Sequence, residues 1–259
     1  MRDEAVHQVD GVAALRTLTQ AIIAELDIKD ADRLIDIGTG SGRLAMALSQ
    51  LVPKGSVTGI DPSWEQLRAA REAATAHHMR NFELVHGRAE ALPLGSEAFD
   101  AACFMFSLHH FDNPQDAVEE ARRVLKTGGR LVSVDPVVRE PSDEEERQLN
   151  EIIEEAFQIA HGRSHRLFTV TELERLYIGA GLSIESCHTY DFLFDQADIA
   201  VIPQGSHWLQ AYNLLRLRRQ KGLACRFEQN YLVFREEEGQ LKVNGKTPWA
   251  VIKAAKGYG

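Results

Sequence analysis

The chain has 259 residues, 44% of them hydrophobic and 26% charged, which suits one α/β domain, or one domain with a substantial insertion, and supplies enough apolar material for a real core. A formal net charge of −9 argues against a non-specific nucleic-acid binder, which needs a basic surface to release counterions from phosphates. Cys103, Cys187 and Cys225 lie far apart with no zinc-ligand spacing, so no metal is expected. No apolar run reaches the ~18 residues of a membrane span, and the polar, acidic start does not read as a signal peptide; a cytoplasmic, reducing location is the expectation.

In chain order, Val12 to Leu26 carries Val12, Leu15, Leu18, Ile22, Ile23 and Leu26 at helical spacing. "RLIDIG" is a short apolar run ending in glycine, a strand entering a turn. "RLAMALSQLV" follows as a helix stopped by Pro53 and Gly55, and "SVTGID" is a second strand. "PSWEQLRAAREAATAHH" reads as a helix with Pro62 and Ser63 at its start. "FELVHG" and "FDAACFMFSL" are the third and fourth strands. "NPQDAVEEARRVLK" is a helix expected to be closed by Gly128 and Gly129, and "RLVSVDP" is a fifth strand. Strand–helix alternation with short connections implies a doubly wound, mostly parallel sheet with helices on both faces.

The second half is less regular. "SDEEERQLNEIIEEAFQIAHG" reads as a helix whose acidic start suits the positive end of its dipole. Its Glu144 to Glu155 stretch is expected to face solvent. "TVTELERLYIGAG" reads as another helix, with Thr169 and Glu172 in capping-box spacing. "LSIESCHTYDFLF" alternates as a strand, "SHWLQAYNLLRLRRQKG" reads as helical, and "TPWAVIKAAK" as a final strand. Between Asp195 and Gly245 the pattern places elements least well. Arg216, Arg218, Arg219 and Lys221 read as a solvated helix face, and Trp208, Tyr212 and Phe192 either line an apolar cavity or belong to the core.

The chemistry concentrates in "LIDIGTGSGRLA", where Gly38, Gly40 and Gly42 join a strand to a helix. Residues without Cβ let a sharp turn form and a ligand approach the backbone at the carboxyl edge of the first strand. Asp61, at the tip of the second strand, can accept both hydroxyls of a ribose, so the expected ligand is a nucleoside. A dinucleotide fingerprint needs a third glycine where this chain has Arg43. Asp36, just before the loop, sits poorly beside a pyrophosphate but suits the cationic amine of a methionine moiety, directly or through water; alternatively it ties down the loop backbone, or the glycines make a purely structural turn.

"LIDIGTGSGRLA", "GIDPS", "HGRAEALPLGSEAFD" and "SLHHFDNPQDAVEEARRVLKTGGRLVSVD" occur in the order and spacing of the class I S-adenosylmethionine-dependent methyltransferases. The chain most resembles the ubiquinone/menaquinone-biosynthesis-type branch, strongly from Leu34 to Asp135 and more faintly through "GRSHRLFTVTELERLYIGAGLSIES". The resemblance implies a Rossmann-like seven-stranded sheet with helical cover and an insertion before the last strand. It implies one methyltransferase domain over residues 1–259, with a core near 30–136 and a substrate-cover and C-terminal sheet region near 137–259. It implies S-adenosyl-L-methionine as cofactor and S-adenosyl-L-homocysteine as product. Asp36, Gly38, Gly40 and Gly42 match the motif around the methionine part, Asp61 the ribose ligand and Pro62 the residue beside the adenine. Ala89 and Glu90 fall on the segment flanking the adenine, with Arg88 where the family has an aspartate. Phe106, Ser107 and Leu108 match the floor under the cofactor.

Methyl transfer from a sulfonium is an in-line displacement in which the protein mainly aligns groups and excludes water; a base is needed only where the acceptor has a proton to lose. His109 and His110, just past the fourth strand, and His165 in "GRSHR" are the candidates, the alternative being that they cap a turn or pack. No tetrapeptide of the kind nucleic-acid amino methyltransferases carry follows the fourth strand. The expected partner is therefore a small-molecule acceptor, phenolic or quinone-like by resemblance, for a monomer or homodimer. The competing reading is an S-adenosylmethionine-binding protein without methyl transfer, acting as regulator or scaffold.

Overall fold

The computed structural model describes residues 6–10, 13–162 and 164–257. The chain divides into two compact units. One, the α/β unit, comprises the described residues within Leu18–Asp135, Leu173–Cys187 and Val251–Gly259; the companion unit comprises those within Met1–Thr17, Pro136–Glu172 and His188–Ala250.

In the α/β unit, strands β2 (Arg33–Ile37), β3 (Ser56–Asp61), β4 (Phe82–His86), β5 (Phe99–Met105) and β6 (Leu125–Pro136) alternate with helices α2 (Arg43–Leu51), α3 (Trp64–Ala76) and α4 (Pro114–Val124). The β2–β3, β3–β4, β2–β5 and β5–β6 pairs are all parallel. With parts of β7 (Ser183–Asp198) and β9 (Gln240–Ala255), the strand order is β7-β9-β6-β5-β2-β3-β4, the seven strands expected of a Rossmann-like fold. Strands covered on both faces read as continuous apolar runs, and Leu34, Ile35, Ile37, Val57, Ile60, Ala101, Ala102 and Phe104 are all buried. From α4, Ala117, Val118, Ala121 and Val124, at helical spacing, are buried with them, as are Leu44 and Leu48 of α2.

From β2 the chain winds through β3 to β4, then returns through β5 to the other side of β2. The reversal opens a crevice at the carboxyl ends of β2 and β5, where ligands bind in open α/β sheets.

Helix α1 (Ala14–Glu25) buries Leu18 and Ile22, with Leu26 just beyond its end. Val12 and the side chain of Leu15 lie outside the described residues. The glycines after α4 act differently from the expected cap. Leu125 is already extended (φ −69°, ψ 139°), and Gly128 and Gly129 lie inside β6, exchanging backbone hydrogen bonds with Lys256. The helix ends at Val124, and the chain passes directly into the strand at Leu125, both side chains being wholly buried.

The companion unit holds α5 (Glu144–His161), α7 (Gly205–Leu217) and α8 (Lys221–Asn230) around an aromatic cluster. Trp208 stacks on Tyr231 at 5.1 Å and meets Phe157 edge-on at 5.4 Å, while Tyr212 lies 5.7 Å from Phe227. Trp208, Tyr212 and Phe192 are thus packing residues, Phe192 lying 6.5 Å from Trp249. Thr169 and Glu172 form the reciprocal capping box at α6 (Val170–Gly179): the Thr169 amide donates to the Glu172 carboxylate at 2.9 Å and the Glu172 amide to the Thr169 hydroxyl at 3.3 Å. Two further strands were not expected. β1 (Val6–Asp10) pairs with β7 from Val6↔Thr189 to Asp10↔Leu193. β8 (Leu232–Glu237) forms a hairpin with β9, turned by Glu238 (φ 52°) and Gly239 (φ 75°), the mirror-image turn whose twist suits paired strands.

Candidate functional site

The glycine loop leaves β2 at Gly38. A Cβ there would lie 2.5 Å from the Cβ of Ser107, and φ is +77°, so both space and backbone demand glycine. Ser107, just past β5, is held by its hydroxyl donating to the Ile37 carbonyl at 2.9 Å. Gly40 (φ +53°) differs: a Cβ would meet nothing closer than 3.7 Å, so it faces open space where a ligand can approach.

Three carboxylates end three strands. Asp36 is 1% exposed beneath the loop, receiving the Thr39 hydroxyl at 2.7 Å and the Cys103 thiol at 3.6 Å. Burial lifts its pKa from 3.8 to about 6 and pushes the neighbouring Cys103 thiol well above its usual value. Asp61 accepts the Gly40 amide at 2.9 Å and the Ser63 amide at 2.8 Å, so it both shapes the loop and starts α3. A carboxylate has about four lone-pair sites, so roughly two remain for further donors such as sugar hydroxyls. Asp135, wholly buried near the end of β6, accepts from His109 Nδ1 at 2.6 Å, and burial drives its carboxyl pKa well up.

Beside the loop is a cavity of about 140 Å³ lined by Gly38, Ile60, Pro62, Gly87, Arg88, Ala89, Glu90, His110, Phe111 and Asp112. Ile60, Pro62, Ala89 and Phe111 give it apolar walls suited to a flat ring. The polar side is a linked group: Arg88 pairs with Asp112 and, at 3.4 Å, with Glu90, whose carboxylate also accepts the Asp112 amide at 2.9 Å. Acids therefore stand beside the cavity although Arg88 replaces the expected aspartate.

The structure brings Gly38, Pro62, Ala89, Glu90 and His110 to this cavity, with Gly40 and Asp61 joined at its edge by their hydrogen bond. Asp36 lies under the loop, and Gly42 begins α2 in the left-handed region at φ 79°. Phe106, just past β5, is in that same region (φ 58°), a strained conformation for a bulky residue, and its amide donates to the Val134 carbonyl at 2.9 Å. His109 is 1% exposed and lies on Asp135, whereas neighbouring His110 is exposed; their rings are 4.1 Å apart. His165 belongs to the companion unit, buried 5.3 Å from the Phe157 ring. Phe111, Asp112, Gly87 and Asp135 were not singled out from sequence. The available signal for Asp135 was the one already used for Asp36 and Asp61, an acid at the carboxyl end of a parallel strand.

The loop, the strand-end acids and the switch-point cavity define a class I S-adenosylmethionine-dependent methyltransferase, and the chain belongs to that family. Residues 35–133 match the methyltransferase domain model. The chain is 37% identical over 112 residues to the ubiquinone/menaquinone biosynthesis C-methyltransferase UbiE of Syntrophotalea carbinolica, covering 43% of this chain and 47% of that protein. It is 33% identical over 124 residues to the methyltransferase-family protein YrhH of Bacillus subtilis, covering 46% of this chain and 67% of that one. The matched stretch thus spans about half the length of UbiE. The crystal structure of YcgJ from Bacillus subtilis shares the fold, with a TM-score of 0.78 at 22% identity over 94% of this chain and 100% of that one. Among the described residues, no helix is long and apolar enough to cross a membrane. The family's cofactor is S-adenosyl-L-methionine, and the residues present fit it: open space at Gly40, spare acceptor capacity on Asp61 and an apolar slot ending in acids.

Proposed function

We propose that this chain transfers a methyl group from S-adenosyl-L-methionine to a small-molecule acceptor carrying an acidic hydroxyl, phenolic or quinol-like. The observation that carries it is the cavity at the strand-order reversal, walled by Ile60, Pro62, Ala89 and Phe111 and bounded by the one loop that Asp61 fixes through the Gly40 amide. The bound sulfonium supplies an activated methyl group with a good leaving group. The chain's own work is to hold and to orient. Asp61 accepts the ribose hydroxyls, Pro62 and Ala89 flank the adenine, and Glu90 and Asp112 offer acceptors for its amino group. Ser107 and Phe106 form the floor, and Asp36 keeps the loop closed from below.

His109 is the base of this reading and Asp135 its positioning residue. Asp135 sits 2.6 Å from Nδ1 and orients the imidazole; where Nδ1 carries the proton of that hydrogen bond, Nε2 is the nitrogen that takes the proton of the acceptor hydroxyl. The resulting phenolate is nucleophilic at oxygen and at the neighbouring ring carbon, with S-adenosyl-L-homocysteine leaving in either case; for the carbon product the oxygen regains its proton from His109 and the ring C–H proton passes to water. A quinone-like acceptor is further supported by the likeness to a ubiquinone/menaquinone biosynthesis C-methyltransferase. His110 borders the cofactor cavity and His165 lies against Phe157; neither is given the base role here.

Calorimetry with S-adenosyl-L-homocysteine, followed by a turnover assay over phenols and quinols, tests the proposal. Binding and turnover are expected together. His109→Gln should leave cofactor affinity intact and lower turnover about 10²–10⁴-fold, the usual contribution of a general base. Asp135→Asn should lower it less and shift the pH profile. Binding without turnover of any acceptor would instead indicate a regulatory cofactor-binding protein, and no binding at millimolar concentration would overturn both readings.

A further inference from the structure

Outside the cofactor cavity, the α/β unit carries a second hollow of about 280 Å³ between α3 and β4, lined by Trp64, Leu67, Arg68, Arg71, Leu84 and His86. Trp64 is 69% exposed, yet its ring is fixed, stacked on His86 at 4.1 Å with an interplanar angle of 4°. His86 is itself anchored, Nε2 lying 2.9 Å from the Pro62 carbonyl oxygen. A large apolar ring mostly exposed, with one face stacked on a partner, leaves its remaining surface as a stacking platform.

The charges here are as unusual as the rings. Trp64, Leu67, Arg68 and Arg71 are three or four residues apart along α3 and share one face. In a chain of net charge −9, most arginines beyond α3 are paired, for example Arg88, Arg123, Arg130, Arg139, Arg218 and Arg226. Among the described residues, Arg68 and Arg71 form no ion pair within 4.0 Å. Two unpaired guanidiniums on successive turns repel each other mildly, and a bound anion would relieve this.

We infer that this hollow is a second ligand site, for a small planar ring bearing a carboxylate or phosphate. The ring stacks in the Trp64/His86 pocket between Leu67 and Leu84, and the anion is held by Arg68 and Arg71. The volume admits a molecule of one or two rings, near the lower end of small-molecule sites. The inference does not depend on the methyltransferase reading. No residue lining this hollow lines the cofactor cavity, although His86 touches its wall residue Pro62.

The test is calorimetric titration with 1-naphthoate, adenosine monophosphate and the neutral 1-naphthalenemethanol, each with and without saturating S-adenosyl-L-homocysteine. At least one anion should bind whether or not S-adenosyl-L-homocysteine is present, and more tightly than the neutral ring compound. Tighter naphthoate identifies an aromatic acid, tighter nucleotide a phosphorylated ligand. Trp64→Ala and the double variant Arg68→Gln/Arg71→Gln should each weaken that binding about tenfold or more, with S-adenosyl-L-homocysteine affinity and thermal melting unchanged. The inference is overturned if neither anion binds at millimolar concentration, if the neutral compound binds as tightly, or if the variants leave the affinities untouched. It is equally overturned if Trp64→Ala instead abolishes self-association of a chain that binds no anion.

Discussion

Two buried aspartates, one in each unit, are handled in opposite ways. Asp191, 2% exposed in the companion unit, accepts hydrogen bonds at both carboxylate oxygens from Arg139, at 2.9 and 3.0 Å, and lies 3.1 Å from Lys246. Asp36, equally buried in the α/β unit, is met by a hydroxyl, a thiol and the Ala45 backbone, none of them charged, and its pKa climbs to about 6. A buried charge with cations beside it is a structural clamp. A buried acid held by neutral donors is a group whose charge state the fold leaves adjustable, and Asp135 follows the second pattern.

The largest effect expected from this contrast is at the clamp. Asp191→Ala strands Arg139 and Lys246 and should cost about 3 kcal/mol in urea unfolding, a value kept at the low end because both cations are one-third exposed. Next comes the pH dependence of Asp36. Between its unperturbed 3.8 and about 6, the native chain keeps a proton that the unfolded chain has released. Stability therefore falls as pH rises through that window and levels off above it. Asp36→Asn should remove a decline on the order of 2–3 kcal/mol, read from denaturant midpoints at either end of the window. An unchanged slope would mean that Asp36 is not the titrating group.

Asp61 sharpens the comparison, being half-buried and bonded only to backbone amides. Asp61→Ala should weaken S-adenosyl-L-homocysteine binding by about 1–3 kcal/mol, the loss of a charge-assisted acceptor, while unfolding shifts less. At the small end, the exposed Lys54–Asp30 pair should be worth under about 0.5 kcal/mol, and Lys54→Ala should leave the midpoint within error.

Much of the α/β unit was legible because its signals are local. Parallel strands buried on both faces are short apolar runs, and the glycine loop must follow one and open a helix. Asp36, Asp61, Gly38 and Gly40 could thus be named from order and spacing, whereas Ala89 and Glu90 came only through the resemblance to the methyltransferase family. The pairing of His109 with Asp135 was not legible, since 26 residues and a whole helix separate them and only the parallel β5–β6 register brings the strand ends level. β8 escaped because "LVFREE" turns its second half to solvent, leaving no alternation to read, and α8 because only Arg218 to Gln220 separates it from α7. Gly128 and Gly129 looked like a helix stop because glycine's permissiveness signals a turn equally well at a cap or within a strand.

The turn at Glu238 and Gly239 has a practical consequence. Both residues are exposed, both already adopt a conformation that spends no side-chain packing, and the flanking Glu236, Glu237 and Gln240 are exposed as well. A fluorescent label or a short inserted epitope at this tip would displace only water. Since the cradle around Gly38 and Asp61 is built wholly from residues of the α/β unit, such a handle would let the chain be immobilised or tracked while its ligand chemistry is measured undisturbed.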